Sequence, residues 1–390
     1  MEKNIIGYER MHIMNGEKIA YTISGYSGQH YYPHTLADYA HVIKNYCKNE
    51  IPHLPIMAVD SHDCYACDFR CKDCLADETK GWFKNSLHAY SDYQAEFEKY
   101  KIALKKIVDY SAECGIHNVR FEMSGEGNPD LYPFRNEIIE YSKKIGMEPV
   151  YISSGSKIDD RLLTTLVKYA KYIRISMPGI NNESYIKYSG QYRFKFENAI
   201  DLIKKLVKMR DDFQRQDDLL IGVRCCLRSD YIDELERVAI LLTEDIGVDT
   251  FQIVRAIQNE NTDNEYISND VKKILLSLKI KNKVVVPDNL DFYYNRRKNK
   301  NLVGNVCFAA KLTPILYSSY LLPCTHTRII RNLESYINSD LSLYTVPNFC
   351  INTNTCKTCC AIKDNTIFTK IYQITSKIIE EGGNPGYICE

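Results

Sequence analysis

From residue 54 onward the chain keeps one rhythm: a short apolar run, a polar turn, an amphipathic stretch, then another apolar run. The candidate strands are Leu54 to Val59, Val119 to Met123, Pro149 to Ser153, Tyr172 to Met177, Leu219 to Leu227 and Phe251 to Ile257. Helical periodicity is clearest after Ser91, where Tyr93, Phe97, Tyr100, Leu104, Ile107 and Val108 recur on one face. Gln94, placed behind Ser91 as in a capping box, and Gly115 mark the start and stop of that helix. Further helices are expected over Leu131 to Ile145, Arg161 to Ala170, Phe196 to Met209, Ile232 to Leu242 and Val271 to Leu278. In the third of these, Ala199, Ile200, Ile203, Leu206 and Val207 face inward. Strand–helix alternation gives an α/β fold: a parallel sheet with right-handed crossovers. The six units counted here can curl into a partial (β/α)6, TIM-like barrel, in which sites gather at the carboxyl ends of the strands.

The barrel pattern fills residues 54–295. Residues 1–53 form an N-terminal extension, with a short strand over Lys18 to Ile23 and a helical stretch over Leu36 to Tyr46. After the polar segment RRKNKN, residues 296–390 read as a small cysteine-rich α+β domain. Fifty basic and fifty acidic residues cancel, so no broad basic field invites nucleic acid. No run of 18 apolar residues suggests a membrane span. The first residues, MEKNIIGYERMHIMNGEK, lack an apolar leader, so a cytoplasmic protein is expected. In that reducing compartment, clustered members of the 15 cysteines bind metal or do chemistry more often than they form disulfides.

Four cysteines, Cys64, Cys67, Cys71 and Cys74, fall within eleven residues directly after the first strand. The last three are spaced C-x3-C-x2-C. Three thiolates on so short a loop can wrap one corner of a cubane iron–sulfur cluster and leave its fourth iron open to a substrate or cofactor. Zinc is the competing occupant, because Cys64/Cys67 and Cys71/Cys74 are two C-x2-C pairs. Zinc ribbons, however, separate their pairs by more than the three residues found here. Cys64 is extra to the three-cysteine pattern, either a bystander or an exchanged ligand.

The spacing and position of this loop resemble the radical S-adenosylmethionine (SAM) enzymes, and the resemblance extends over about residues 54–390. It implies a 4Fe-4S cluster on Cys67, Cys71 and Cys74, with SAM chelating the open iron. It also implies reductive cleavage of SAM to a 5′-deoxyadenosyl radical that abstracts hydrogen from a substrate, and an electron donor such as flavodoxin or ferredoxin. Ser124-Gly125-Glu126 resembles the family's glycine–glycine–glutamate motif, with Ser124 in the first glycine's place. There Gly125 admits the methionine moiety and Glu126 accepts from its amino group. Ser176 matches a family position that contacts the SAM ribose or carboxylate, and Ser154 is a similar candidate. Arg224 could pair with the SAM carboxylate in a forked contact, or form a salt bridge inside the barrel. The residue before the third cysteine is often bulky in the family and packs near adenine. Here it is Asp73, which leaves Tyr65 or Phe69 for that packing.

Beyond Asn295 cysteines return at 307, 324, 350, 356, 359, 360 and 389. The stretch FAAKLTPILYSSYLLP between Cys307 and Cys324 reads as a β-hairpin. The set resembles the SPASM and twitch domains that follow many radical SAM barrels and hold auxiliary 4Fe-4S clusters. The full SPASM order is not reproduced. One auxiliary cluster on Cys307, Cys324, Cys356 and Cys359 is the expectation, with Cys350 or Cys360 as substitutes and a zinc site as the alternative. Such a cluster takes an electron from a substrate radical or binds substrate directly. An epimerisation would instead need a thiol to return hydrogen, for which Cys225, Cys226, Cys360 and Cys389 are candidates. The resemblance implies a peptide or protein substrate that is oxidised, cross-linked or epimerised, or a small polar one such as a sugar or aminocyclitol. A zinc-stabilised α/β binding protein is the non-catalytic alternative.

Overall fold

The computed structural model describes residues 9–14, 17–22, 36–61, 67–72, 74, 93–125, 127–255, 273, 277, 284–285, 306–317, 319–322, 331–339 and 362–382. Its frame is a mixed sheet of ten strands. The strands are β3 (Ala58–Ser61), β4 (Arg120–Met123), β5 (Glu148–Ser153), β6 (Tyr172–Met177), β7 (Leu220–Leu227), β8 (Thr250–Arg255) and β9 (Val284–Val285), then β10 (Ile315–Tyr317), β11 (Tyr320–Leu322) and β12 (Arg331–Asn332). A separate hairpin pairs β1 (Glu9–Met14) with β2 (Glu17–Thr22), the latter close to the strand expected from Lys18. The large sheet runs β12-β11-β10-β3-β4-β5-β6-β7-β8-β9. From β10 to β9 every pairing is parallel, while β11 and β12 add antiparallel edges. The sheet is open, and the parallel α/β class holds as expected.

Alternation along each strand separates two faces. Val59, Phe121, Met123, Tyr151, Ile173, Ile175, Ile221, Val223 and Ile253 enter one large core with the helices. Val150, Ile152 and Tyr172 form a small apolar patch on the other face. That inner face also carries ions. Arg120 Nε lies 3.5 Å from Glu122 Oε2, with both side chains almost fully enclosed. Burial pushes the Glu122 carboxyl up, against the pull of Arg120, Arg174 and Arg224. Charges so deeply enclosed are tolerated only where they compensate one another.

The helices that position the site are α1 (Leu36–Cys47), α2 (Tyr93–Ala112), α3 (Arg135–Lys144), α4 (Asp160–Tyr169), α5 (Asn182–Ser189) and α6 (Phe196–Asp212). On α2, Phe97, Tyr100, Leu104 and Ile107 are buried as the periodicity requires, and Gly115 follows at φ +79°. Ser91 of the expected capping box lies outside the described residues, and the Gln94 amide donates to Glu98 Oε1. On α6, Ala199, Ile200, Ile203, Leu206 and Val207 are all buried. The helix expected over Leu131 to Ile145 is split into a turn at Pro129–Leu131 and α3. Pro133 supplies no N–H to a continuous helix, and the Asn128 side chain caps the first turn. The helix expected from Ile232 is likewise broken: a 3-10 turn (Ser229–Glu234) precedes α7 (Leu235–Ile240), which widens into a π turn. The helix expected over Val271 to Leu278 lies largely outside the described residues.

The hairpin expected between Cys307 and Cys324 needs correction. Phe308–Leu312 forms a short helix, α8, because Phe308 and Leu312 both bury against a second core. Only β10 and β11 make the hairpin, and β10 joins β3 to extend the large sheet. The second core combines Tyr39, Val42 and Ile43 of α1 with Phe308, Leu312 and residues Phe368 and Ile371 of the last helix, α9 (Ile362–Glu380). Segments flanking the barrel in sequence thus pack on each other. Among the described residues no helix is long and apolar enough to cross a membrane.

Candidate active site

The cysteine loop follows β3 at the carboxyl end of the parallel strands. It is tied down by its backbone. Arg70 N donates to Ser189 O at 2.7 Å, and Lys72 N to Tyr188 O at 3.0 Å, both at the end of α5. Gly190 closes that helix with φ +63°, and a β-carbon there would meet Arg70 Cβ at 3.0 Å. Glycine therefore satisfies both the left-handed cap and the close approach of the loop. The Arg70 guanidinium donates back to Cys67 O and Phe69 O, at 2.9 and 2.8 Å.

Asp68 holds the loop from the other side. Its carboxylate accepts from Asn128 Nδ2 (3.0 Å) after β4 and from Ser156 Oγ (2.7 Å) after β5. Gln191 Nε2 donates to its carbonyl at 2.9 Å. One side chain thereby joins the cysteine loop to the loops of the next two strands. Asp68→Ala is expected to lower stability by about 1–3 kcal/mol, because two side-chain donors lose their acceptor. It is also expected to reduce the iron retained per chain after gel filtration. Wild-type values in both the urea midpoint and the iron content would show that the tie is idle.

Cys67, Cys71 and Cys74 feel one another. Burial and then the neighbouring Cys67, Cys74 and Cys226 push the Cys71 thiol up to about 12. Cys67 is raised for the same leading reason, with Asp68 and Cys74 adding to it. Two thiols raised in this way, Cys67 and Cys71, give up their protons readily only to a cationic centre that takes the charge, as an iron–sulfur cluster would. A second observation fits an incoming acceptor. The Tyr185 hydroxyl, fully enclosed, has no hydrogen-bond partner among the described residues and lies close enough to Cys71 and Asp68 to feel their charge. Among the described residues no three thiol, imidazole or carboxylate groups meet closely enough to hold a single metal ion. A cubane, whose ligands stand apart by the width of the cluster, does not ask for that. The residues therefore fit a cluster held by Cys67, Cys71 and Cys74. Cys64 lies outside the described residues.

The SAM-contact candidates fall along the same rim. Gly125 stands at φ +62° just after β4, with its N–H given to Ser61 O at 3.1 Å. A glycine is favoured at that dihedral. Glu126, Tyr65 and Asp73 lie outside the described residues. Ser176 and Arg224 are direct neighbours across β6 and β7, and Gln252 follows across β8. Gln252 is buried. Its amide donates to Tyr172 OH at 3.2 Å, and its Oε1 has no partner among the described residues. Ser154 Oγ, half-buried, lies 3.2 Å from Ser156 Oγ and so adjoins the Asp68 tie. Phe69 corrects an expectation: its ring is 4% exposed and enclosed edge-on by Tyr185 and Phe194. It anchors the loop in the core rather than facing a cofactor.

The thiol candidates separate by strand alternation. Cys225 sits in the core with the helices, 1% exposed, and burial raises it well above its ordinary value. That position removes it as a hydrogen donor to a substrate on the inner face. Cys226, one residue on, takes the opposite face and is close enough to Cys71 to raise that thiol. Cys307 caps α8, half-buried against the large core. Cys324, Cys350, Cys356, Cys359, Cys360 and Cys389 lie outside the described residues.

Sequence reading missed Asp68, Tyr185, Asn128 and Gln252, and a group of cations beside the loop. Arg228 lies 4.0 Å from the centre of the Tyr188 ring, with the Lys187 and Lys72 ammoniums at 5.2 and 5.6 Å. Cation–π attraction gathers three positive groups around the ring of Tyr188, the residue whose carbonyl accepts from Lys72 N.

No model of a known protein family matches the chain. Two curated relatives are both described as an S-adenosylmethionine-dependent nucleotide dehydratase. That of Lacinutrix mariniflava is 27% identical over 149 residues, 37% of this chain and 28% of its own. That of Flammeovirga pacifica is 26% identical over 131 residues, 33% of this chain and 41% of its own. The chain thus spans less than half the length of the curated relatives it matches. Among solved structures, Streptococcus suis SuiB bound to S-adenosylmethionine superposes with a TM-score of 0.53 at 13% identity, over 80% of this chain and 74% of that one. SuiB bound to the precursor peptide SuiA gives 0.53 at 14%, over 83% and 74%. Native anSMEcpe with bound AdoMet gives 0.51 at 12%, over 83% and 100%. The likeness that began with three cysteines extends across the scaffold: the chain has the partial-barrel fold of the radical SAM enzymes.

Proposed function

We propose that the chain is a radical SAM enzyme that abstracts a hydrogen atom from a substrate bound over the inner face of the sheet. The observation that carries this reading is the convergence of Cys67, Cys71 and Cys74 beside the enclosed Tyr185 hydroxyl, at the carboxyl end of the strands. When bound there, a cluster and SAM supply the one-electron chemistry. The chain's own residues do the rest. Asp68, Arg70 and Lys72 fix the loop; Gly125, Glu126, Ser154, Ser176 and Arg224 are assigned to the SAM methionine and ribose. The auxiliary set Cys307, Cys324, Cys356 and Cys359 belongs to the same proposal, as do an electron donor of the flavodoxin or ferredoxin kind and a cytoplasmic setting.

A peptide is the first substrate reading, supported by one structural neighbour, SuiB, solved with its precursor peptide SuiA. A nucleotide is the second. Both curated relatives carry a nucleotide-dehydratase description. The test is 5′-deoxyadenosine release from SAM by anaerobically reconstituted protein, alone and with acidic peptides or nucleoside triphosphates. A brown protein that cleaves SAM, faster with one class, is expected. A colourless protein carrying zinc, or a cluster-loaded one that never cleaves SAM, removes the proposal.

A further inference from the structure

One buried hydroxyl beside the cysteine loop has nothing to bond. Tyr185 is 0% exposed, and its phenolic oxygen has no hydrogen-bond partner among the described residues. An enclosed donor left unmet costs free energy, so it calls for an explanation. Packing does not supply one. Phe69 and Phe194 hold the ring with centroids 6.3 and 6.2 Å away, contacts that a phenylalanine would make equally well. The backbone fixes where the ring stands. Asn181 Oδ1 accepts from Ser184 N at 2.8 Å, and Ser184 Oγ accepts from Ile180 N and Asn181 N at 3.0 and 3.2 Å. Tyr185 N then donates to Asn181 O at 2.9 Å, which locks the first turn of α5.

The other end of that short helix meets the loop at one cysteine. Ser189 O and Tyr188 O accept from Arg70 N and Lys72 N, the residues on either side of Cys71. Two charged neighbours bear on the Tyr185 hydroxyl. After burial, Cys71 and then Asp68 raise it, so it stays protonated and able to donate. Asp68 is already served: its carboxylate accepts from Asn128, Ser156 and Gln191. The Cys71 corner of the loop is what remains for the hydroxyl.

We propose that Tyr185 donates a hydrogen bond to the iron–sulfur cluster at its Cys71 corner, and that this bond raises the reduction potential of the cluster. The assignment rests on the reading of Cys67, Cys71 and Cys74 as cluster ligands. The acceptor is a sulfur that arrives with the cluster, and the hydroxyl stands unmet until it does. Reduction places one electron, from the flavodoxin- or ferredoxin-like donor, onto the iron and sulfur atoms. Negative charge on the sulfurs grows, so a donor there stabilises the reduced state more than the oxidised one. The phenol keeps its proton throughout, and no covalent bond to the chain forms or breaks.

Tyr185→Phe then has opposite effects with and without the cluster. In the full chain freed of iron, the substitution removes an unmet group, so the urea midpoint should hold or rise. In the reconstituted protein it removes a made bond. The reduced-to-oxidised ratio of the cluster at a fixed applied potential should then fall by roughly threefold or more. That ratio is read anaerobically by electron paramagnetic resonance, from the signal that added SAM perturbs. The spectrum of the Cys67/Cys71/Cys74 triple alanine variant is subtracted, so that auxiliary clusters do not enter. A ratio unmoved by Tyr185→Phe overturns the proposal. So does an iron-free midpoint that falls, because the hydroxyl would then have a partner within the chain; a variant too unstable to purify counts with that fall. Wild-type protein that takes up no iron at the three cysteines removes the functional reading as well, whereas iron present with an unmoved ratio removes the Tyr185 assignment alone.

Discussion

Replacing Cys67, Cys71 and Cys74 together by alanine is expected to give a folded protein that keeps only the iron of the auxiliary set and releases no 5′-deoxyadenosine. The loss should be complete rather than partial. A cluster with an open iron has only three protein ligands, and the neighbouring Cys226 cannot supply three. The fold should survive because the loop does not rely on its sulfurs. Its backbone bonds to Ser189 and Tyr188, its Arg70 bonds and its Asp68 tie all remain. The large core is built from side chains of β3 to β8 and their helices, which the substitutions leave in place. Far-ultraviolet circular dichroism and the urea midpoint should stay near wild type while SAM cleavage vanishes and iron and visible absorbance fall by one cluster's share. If the variant cleaves SAM as well as wild type does, the ligand assignment is wrong. If it loses zinc instead of iron, the binding-protein alternative takes over.

The two parts of the molecule differ in how far the sequence discloses them. β6 was readable residue for residue, from Tyr172 to Met177, because five of its six side chains are buried and the β-branched Ile173 and Ile175 recur at period two within a segment too short for a helix. β3 was misplaced by several residues. Its ladder occupies Ala58–Ser61, and Asp60 and Ser61 look like loop residues in isolation. They belong to the strand because Ser124 Oγ bonds Asp60 and the buried Tyr100 hydroxyl bonds Ser61, partners 64 and 39 positions away. The cysteine triad was legible because its geometry is local: three ligands on one loop need only a spacing. Asp68 and Tyr185 were not, since their roles come from loops of other strands. Cys225 and Cys226 did carry a usable signal. Ile221, Val223 and Cys225 share the period-two face that enters the core, which leaves Cys226 on the other.

Asp130 should show how strongly the turn after β4 is fastened, and at what pH. Its carboxylate, 1% exposed, accepts from Tyr151 OH (2.9 Å), Ser153 Oγ (2.5 Å) and Lys157 N (3.1 Å). Asn128 completes the turn, its Oδ1 accepting from Asp130 N and Ser153 Oγ while its amide reaches Asp68. Asp130→Ala would remove the acceptor of Tyr151 OH and Lys157 N while Ser153 Oγ keeps Asn128 Oδ1 at 3.3 Å, so at about 1–3 kcal/mol for each lost acceptor a loss of about 2 kcal/mol or more is expected in urea unfolding. The Asn128 tie to the cysteine loop should loosen with it, weakening SAM retention. Burial holds the Asp130 carboxyl above its ordinary value, against the opposing pull of Ser153, Tyr151 and Lys157. The folded chain therefore keeps this proton at pH values where the unfolded chain has released it. Stability from this group is fully present below the unfolded value near about 3.9 and is lost as pH rises through the raised folded value. Asp130→Asn resembles the protonated acid in shape and cannot ionise, so it should flatten that part of the stability–pH curve while costing less than alanine. Urea midpoints measured from about pH 4 upward decide the matter: parallel curves for wild type and Asp130→Asn would show that the buried carboxyl titrates alike in both states.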